Sequence, residues 1–159
     1  MTDNEIRLIL KRAADEARKT MQQGKGGPFG AAIVDSEGRI FASGNQVITA
    51  NDPTAHAEIC AIRKACAGKN TRDLSGCILY TTCYPCPMCL SACIWANIRN
   101  IWYGSTPEDA ARIGFRDDYI YSFIRGGCKD RSVLDLNQSG RDICQPLMNE
   151  YEKDHYEMY

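Results

Sequence analysis

The sequence predicts an α/β fold in three layers, with helices on both faces of a mixed central sheet. Two observations predict it. Segments with helical spacing alternate with short apolar runs along most of the chain, a pattern that lays helices over a sheet. Near the start, two strand-like runs, 29–35 and 39–44, are joined by the turn Ser36-Glu37-Gly38. A hairpin pairs its strands antiparallel, so the sheet is mixed rather than purely parallel.

The elements follow in order. Thr2-Asp3-Asn4-Glu5 has the spacing of a capping box, and Ile6, Ile9, Leu10, Ala13, Ala17 and Met21 recur on one helical face. That first helix stops near Gly24, where Gly24-Lys25-Gly26-Gly27-Pro28 breaks it. After the hairpin, 45–54 is a polar loop and 55–67 a helix ending at Gly68. A short apolar strand spans 77–82, with Gly76 before it. The helix over 87–96 starts with Pro87, which suits a first turn. A strand over 100–104, short helices over 107–113 and 119–124, a last strand over 132–136 and a terminal helix over 146–155 complete the chain.

With 159 residues the chain reads as one domain, 1–159. Such a domain buries ~70% of the surface its unfolded chain exposes, so it needs no disulfide staple. Its 44% hydrophobic and 25% charged residues are ordinary for a globular protein. No apolar run is long enough to span a bilayer, and the acidic start, Met1-Thr2-Asp3-Asn4-Glu5, does not resemble a secretory signal. The nine cysteines therefore predict a reducing, cytoplasmic setting. Most sit on apolar faces, where a thiol serves as a small buried hydrophobe. A net charge of −1 gives no basic surface, so no nucleic-acid partner is expected.

Two motifs carry chemistry. His56-Ala57-Glu58 is followed by Pro85-Cys86-Pro87-Met88-Cys89. One imidazole and two thiolates make three zinc ligands, and a catalytic zinc site uses three and leaves the fourth position to water. Cys86 and Cys89 are three apart and share a face at the start of a helix. His56 and Glu58 are two apart, but helical side chains tilt toward the N-terminus, so both reach a metal lying just beyond the first turn. Two helix N-termini then frame the site and favour thiolates. Glu58 is left free to move protons. The competing arrangement is a closed structural zinc held by Cys83, Cys86, Cys89 and His56. It crowds three cysteines from a tight run onto one ion and gives Glu58 no task.

From Pro28-Phe29-Gly30-Ala31 to Gly104 the chain resembles the cytidine deaminase-like superfamily, whose zinc enzymes carry H-x-E and P-C-x-x-C. Gly26-Gly27-Pro28-Phe29-Gly30, Asn51-Asp52-Pro53-Thr54-Ala55-His56-Ala57-Glu58, the surroundings of Trp95, Gly114-Phe115-Arg116-Asp117 and the final Tyr159 resemble, within it, the bacterial guanine deaminases. The resemblance implies a five-stranded mixed sheet and hydrolytic deamination of guanine to xanthine and ammonia, with Zn2+ and no organic cofactor. It implies a homodimer in which residues 140–159 are exchanged between subunits. By position, His56, Cys86 and Cys89 hold the metal, and Glu58 and Asp117 move protons. Phe29 lies against the purine and Asn45 binds it through its amide. The Ala57 backbone holds the attacked edge, Trp95 walls the pocket and Tyr159 closes it. Apart from the resemblance, Phe29 and Trp95 read as core aromatics, Asn45 as a turn residue, Asp117 as a loop acid or cap and Tyr159 as a frayed end. The chain departs from many relatives at Tyr84-Pro85-Cys86, where they have Glu-Pro-Cys, and Arg116-Asp117-Asp118 leaves the site acid open by one position. Rival functions are a tRNA adenosine deaminase, a deaminase of another free base or nucleoside such as guanosine or cytosine, and a zinc-stabilised binding module.

Overall fold

The computed structural model describes residues 2–158. The chain divides into two compact units, Met1–Asp118 and Tyr119–Tyr159.

In the first unit, α1 (Asp3–Gln22) opens with the predicted capping box. Glu5 N–H donates to Thr2 Oγ1 at 3.3 Å, and Thr2 N–H donates to Glu5 Oε2 at 2.6 Å. Then come β1 (Gly30–Val34), β2 (Ile40–Gly44), α2 (Val47–Ala50), α3 (Ala57–Lys69), β3 (Ile78–Cys83), α4 (Pro87–Trp95), β4 (Asn100–Ser105) and α5 (Pro107–Arg112). The sheet order is β2-β1-β3-β4. β1 pairs antiparallel with β2 and β3, and β3 pairs parallel with β4, so the sheet is mixed as expected.

Strand alternation sorts the layers. Gly30 and Gly44 face one another in register, and both turn toward α1. A Cβ on Gly30 would come within 2.0 Å of the Ala13 carbonyl oxygen, so α1 lies closer to the sheet than any side chain would permit. Ala31 and Ile33 turn the other way. They form the main core with Leu79, with Ala57, Ala61 and Ala65 of α3, and with Cys93 of α4. The sheet is thus sandwiched between α1 and the α3–α4 layer.

Two expectations fail locally. The loop over 45–54 contains α2, a single turn started by Asn45, whose Oδ1 accepts from Val47 N–H at 3.1 Å. Four residues are too few to show a helical period. The strand expected over 132–136 does not form, and the sheet has four strands rather than five. Asp130 is the physical reason. Its carboxylate accepts from the backbone N–H and hydroxyl of Ser132, and its carbonyl accepts from the N–H of Val133 and Leu134. These bonds curl the chain into a turn, and an Arg131–Asp135 ion pair at 2.7 Å lies across it.

The helix α6 (Asp118–Arg125) leads into the second unit, which contains α7 (Arg141–Lys153). α7 begins five residues before the expected start at Pro146. Gly140 adopts the left-handed conformation (φ 64°) and its carbonyl accepts from Ile143 and Cys144 N–H, closing a turn ahead of the proline. Ile143, Leu147 and Met148 on α7 are exposed. Among the described residues, no helix is long and apolar enough to cross a membrane.

Candidate metal centre and active site

Two loops deliver the ligand residues. Before α3, Asp52 Oδ1 accepts from Thr54 N–H at 2.8 Å and from the Thr54 hydroxyl at 2.7 Å, while Arg63 of α3 pairs with the other carboxylate oxygen at 3.5 Å. This ties the loop to the helix it precedes and sets His56 as the N-cap of α3, with extended backbone (φ −62°, ψ 156°). Ala57 is the first helical residue and Glu58 the second. Cys86 caps α4 in the same way (φ −66°, ψ 167°), Pro87 starts the helix and Cys89 lies in its first turn. The two helix N-termini converge as expected.

His56 Nδ1 lies 3.6 Å from both Cys86 Sγ and Cys89 Sγ. Tetrahedral zinc with Zn–N of ~2.1 Å and Zn–S of ~2.3 Å holds nitrogen and sulfur about 3.6 Å apart. The spacing and the donor set therefore both fit a zinc ion, and the ligand atoms of these three residues all lie within 4.8 Å of one another. Cys83 stays outside this group: its thiol donates to the Thr106 carbonyl at 3.5 Å. The closed arrangement of three cysteines and one histidine is not built among the described residues.

The electrostatics suit metal binding. Cys89 and His56 beside it hold Cys86 well below the usual thiol range, while the neighbouring Cys86 and burial push Cys89 up, and Cys86 raises His56. Cys93, buried behind the site, is pushed up by burial to about 12 and is an inert core thiol.

Glu58 is only 6% exposed. Burial pushes its carboxyl above the usual range. Oε2 lies 3.5 Å from Cys89 Sγ, while Oε1 accepts from the Thr81 hydroxyl at 2.8 Å. No motif in the sequence marks Thr81. The available signal was its place on the inward face of β3, between Leu79 and Cys83.

Asn45 is buried, and its Oδ1 accepts from the N–H of Gly27 at 3.3 Å and of Val47 at 3.1 Å. Two N–H donors on one oxygen leave the Nδ2 amide group as a donor only. Phe29 is half-buried against the core, and Phe115 packs edge-on to it at 4.9 Å and 88°. Phe115 lies in the quoted Gly114-Phe115-Arg116-Asp117 run but had no role assigned.

Asp117 and Asp118 differ sharply. Arg116 holds the Asp118 carboxylate with two bonds, at 2.9 and 3.1 Å, and lowers it. Asp117 is half-buried. Burial raises its carboxyl first, and the negative charge of Cys86 raises it further. Trp95 ends α4, nine residues beyond Cys86, and is 74% exposed. At 1.5 Å per residue it stands about 13 Å along the axis from the ligand end. Tyr159 lies outside the described residues.

Comparison with known proteins then places this geometry. The family profile "Cytidine and deoxycytidylate deaminase zinc-binding region" matches residues 3–105. The chain is 50% identical to the guanine deaminase of Bacillus subtilis over 126 residues, 79% of this chain and 80% of that protein. It is 41% identical to the tRNA-specific adenosine deaminase of Agrobacterium fabrum over 102 residues, 64% of this chain and 62% of that one. The X-ray structure of guanine deaminase from Bacillus subtilis superposes with a TM-score of 0.84 at 41% identity, covering 100% of this chain and 98% of that one. The guanine deaminase from Nitrosomonas europaea superposes with a TM-score of 0.64 at 31% identity over 69% of this chain and 63% of that one.

Proposed function

The chain belongs to the cytidine and deoxycytidylate deaminase family, and we propose that this zinc-dependent hydrolase converts guanine and water to xanthine and ammonia. The likeness to the Bacillus subtilis guanine deaminase carries the choice of substrate, because it extends over the whole chain and not only over the zinc-binding region.

His56, Cys86 and Cys89 would hold the zinc. Bound there, the ion would supply Lewis-acid chemistry and lower the pKa of a water from ~15.7 to ~7. The chain's own residues do the rest. Glu58 takes one proton from the attacking water and passes it to a ring nitrogen, then takes the second from the hydroxyl left on the ring carbon as the carbonyl forms and passes it to the departing amine. Its raised affinity for a proton suits a group that must carry one between two partners. A carbon–oxygen bond forms at the ring carbon bearing the amino group, the carbon–nitrogen bond breaks, and ammonia leaves.

The Nδ2 group of Asn45, fixed as a donor, offers a hydrogen bond to an acceptor on the purine edge. The Ala57 backbone N–H is the first of α3, has no intrahelical acceptor, and is placed to hold the attacked edge. Phe29, braced by Phe115, lies along the ring. Asp117 assists proton movement, in preference to Asp118, whose carboxylate Arg116 occupies. Tyr159 closes the pocket over a free base, where a ribose would obstruct it. The protein acts as a homodimer that exchanges residues 140–159. The exposed Ile143, Leu147 and Met148 of α7 support a partner there. Trp95, exposed at the far end of α4, serves as a pocket wall only where a second copy meets it. Nine free thiols fit a reducing cytoplasm.

The deciding experiment is ammonia release by the zinc-loaded protein, with guanine, guanosine, adenine, adenosine, cytosine and a tRNA in parallel. Guanine is expected to be the preferred substrate and guanosine to be rejected. Preference for tRNA would establish the adenosine deaminase alternative. Silence on all of them with zinc bound would leave a zinc-stabilised module.

A further inference from the structure

β3 is an internal strand, and along it Leu79, Thr81 and Cys83 alternate onto the face that meets α3. Leu79 packs into the core with Ala57 and Ala61, and Cys83 is buried. A hydroxyl on such a face has no water to bond and must find a partner inside the protein. Thr81, 0% exposed, donates to Glu58 Oε1 at 2.8 Å.

Thr81 is also a rigid donor. Its backbone is paired on both sides, with Ala31 of β1 and Tyr103 of β4. Its branched Cβ restricts rotation of the hydroxyl-bearing bond. The carboxylate it meets is intrinsically loose, because the terminal torsion of a glutamate is broad and roughly two-fold. Once Oε1 is held, the remaining oxygen has a defined direction: Oε2 lies 3.5 Å from Cys89 Sγ, on the side of the ligand group.

We propose that Thr81 is a positioning residue for the deamination: its hydroxyl holds Oε1 of Glu58 and thereby aims Oε2 at the ligand group, where the transferred proton is carried. The two carboxylate oxygens have separate tasks, one anchored to the sheet and one facing the reaction. Thr81 acts through Glu58 and touches neither substrate nor metal.

This inference deepens the deaminase reading and rests on it. The test uses Thr81→Val, Thr81→Ala and Thr81→Ser, each alone and in a Glu58→Gln background. It records kcat and KM for guanine, zinc content, and the side-chain carboxyl carbon resonance of Glu58 in the metal-free protein, assigned by its loss in Glu58→Gln. Thr81→Val is expected to lower kcat about 10- to 100-fold with KM changed less than about twofold, since the lost orientation matters only in the reaction step. Thr81→Ser restores kcat to within about threefold, and zinc content stays constant. In the Glu58→Gln background, Thr81→Val costs less than about twofold more, because the two residues act as one unit. The Glu58 resonance moves in the valine and alanine variants and returns in the serine variant. Thr81→Ala carries the same expectations should the valine variant fold poorly.

Unchanged kcat in both Thr81→Val and Thr81→Ala overturns the proposal. So does a Thr81→Ser loss as deep as that of Thr81→Val, an unmoved resonance, or a full additional loss on top of Glu58→Gln. If the parent protein releases no ammonia from guanine, the deaminase reading itself fails; if the parent is active and Glu58→Gln turns over normally, only the role of Glu58, and with it this proposal, fails, so the two failures are distinguishable.

Discussion

Gly26→Ala is a single methyl placed where the structure has no room for it. A Cβ at residue 26 would lie 2.2 Å from Asn45 Oδ1 and 2.5 Å from the Asn45 carbonyl oxygen. Ordinary contact needs at least about 3 Å, so Asn45 and its backbone must retreat by nearly 1 Å, a displacement that can cost about 100-fold at a reacting site. The crowded oxygen is the one that accepts from Gly27 and Val47 N–H. Loss of those two bonds costs about 0.5–1.5 kcal/mol each, and overpacking itself costs about 1–3 kcal/mol. We expect kcat/KM for guanine to fall about 100-fold, or about 2.7 kcal/mol of transition-state stabilisation, with the melting temperature lowered by roughly 4–24 °C. Steady-state kinetics and thermal melts measure both, with zinc content as a control. Gly24→Ala separates strain from site damage: Gly24 has φ +66° but nothing within 4 Å of its added Cβ, so that variant should melt lower and keep its kcat/KM. Gly26→Ala with kcat/KM within about twofold of the parent would refute the idea that the Gly26–Gly27 loop locks Asn45 as a donor.

Glu58→Gln keeps the shape of the side chain and removes its proton affinity. Zinc content should stay at one per chain while turnover falls about 10²- to 10⁴-fold, and near-normal turnover would remove Glu58 from its role. Cys86→Ala leaves two ligands, so metal analysis should find zinc lost along with activity; full metal retention would point to other ligands. Asp35 predicts a pH effect on stability. Burial alone would raise its carboxyl, but hydrogen bonds from the Arg39 side chain and from Arg39 and Glu37 N–H hold it below the usual range, with Lys69 also 3.6 Å away. A folded-state pKa below the unfolded value of ~3.9 stabilises the fold above that pH, and the contribution is lost as pH falls through the lowered folded value. Asp35→Asn should therefore lower the urea midpoint of the metal-free protein at pH 7 and flatten its decline toward pH 3. Parallel curves for the two proteins would discount the ion-pair network.

Much of the fold and the metal centre was legible from local patterns. The capping box at Thr2 and Glu5, the Ser36-Glu37-Gly38 turn, Pro87 at the start of a helix and the H-x-E and P-C-x-x-C spacings each express a short-range constraint, and each appears as expected. Where a pattern had two outcomes locally, it misled. The run over 132–136 has strand composition, but a strand needs a neighbour, and the Asp130 bonds satisfy its backbone as a turn instead. α2 was too short to show a period, and α7 began before a proline because Gly140 closed the first turn.

The sequence by itself determined which chemical groups exist and roughly which element carries each: an imidazole, two thiols and a carboxyl at the starts of two helices. Only the tertiary structure decided their partners. It brought Thr81 of β3 to Glu58 of α3, 23 residues apart, and set Asn45 Oδ1 on Gly27, 18 residues away, which fixes Nδ2 as the donor side of the amide. It also paired Arg116 with Asp118, leaving Asp117 half-buried near the ligand group. The physical reason is range. Helix caps, turns and ligand spacings are set within a few residues, whereas a buried hydroxyl or amide is oriented by whichever polar group the folded chain packs against it, and that is settled by the crossing of the sheet with its helices.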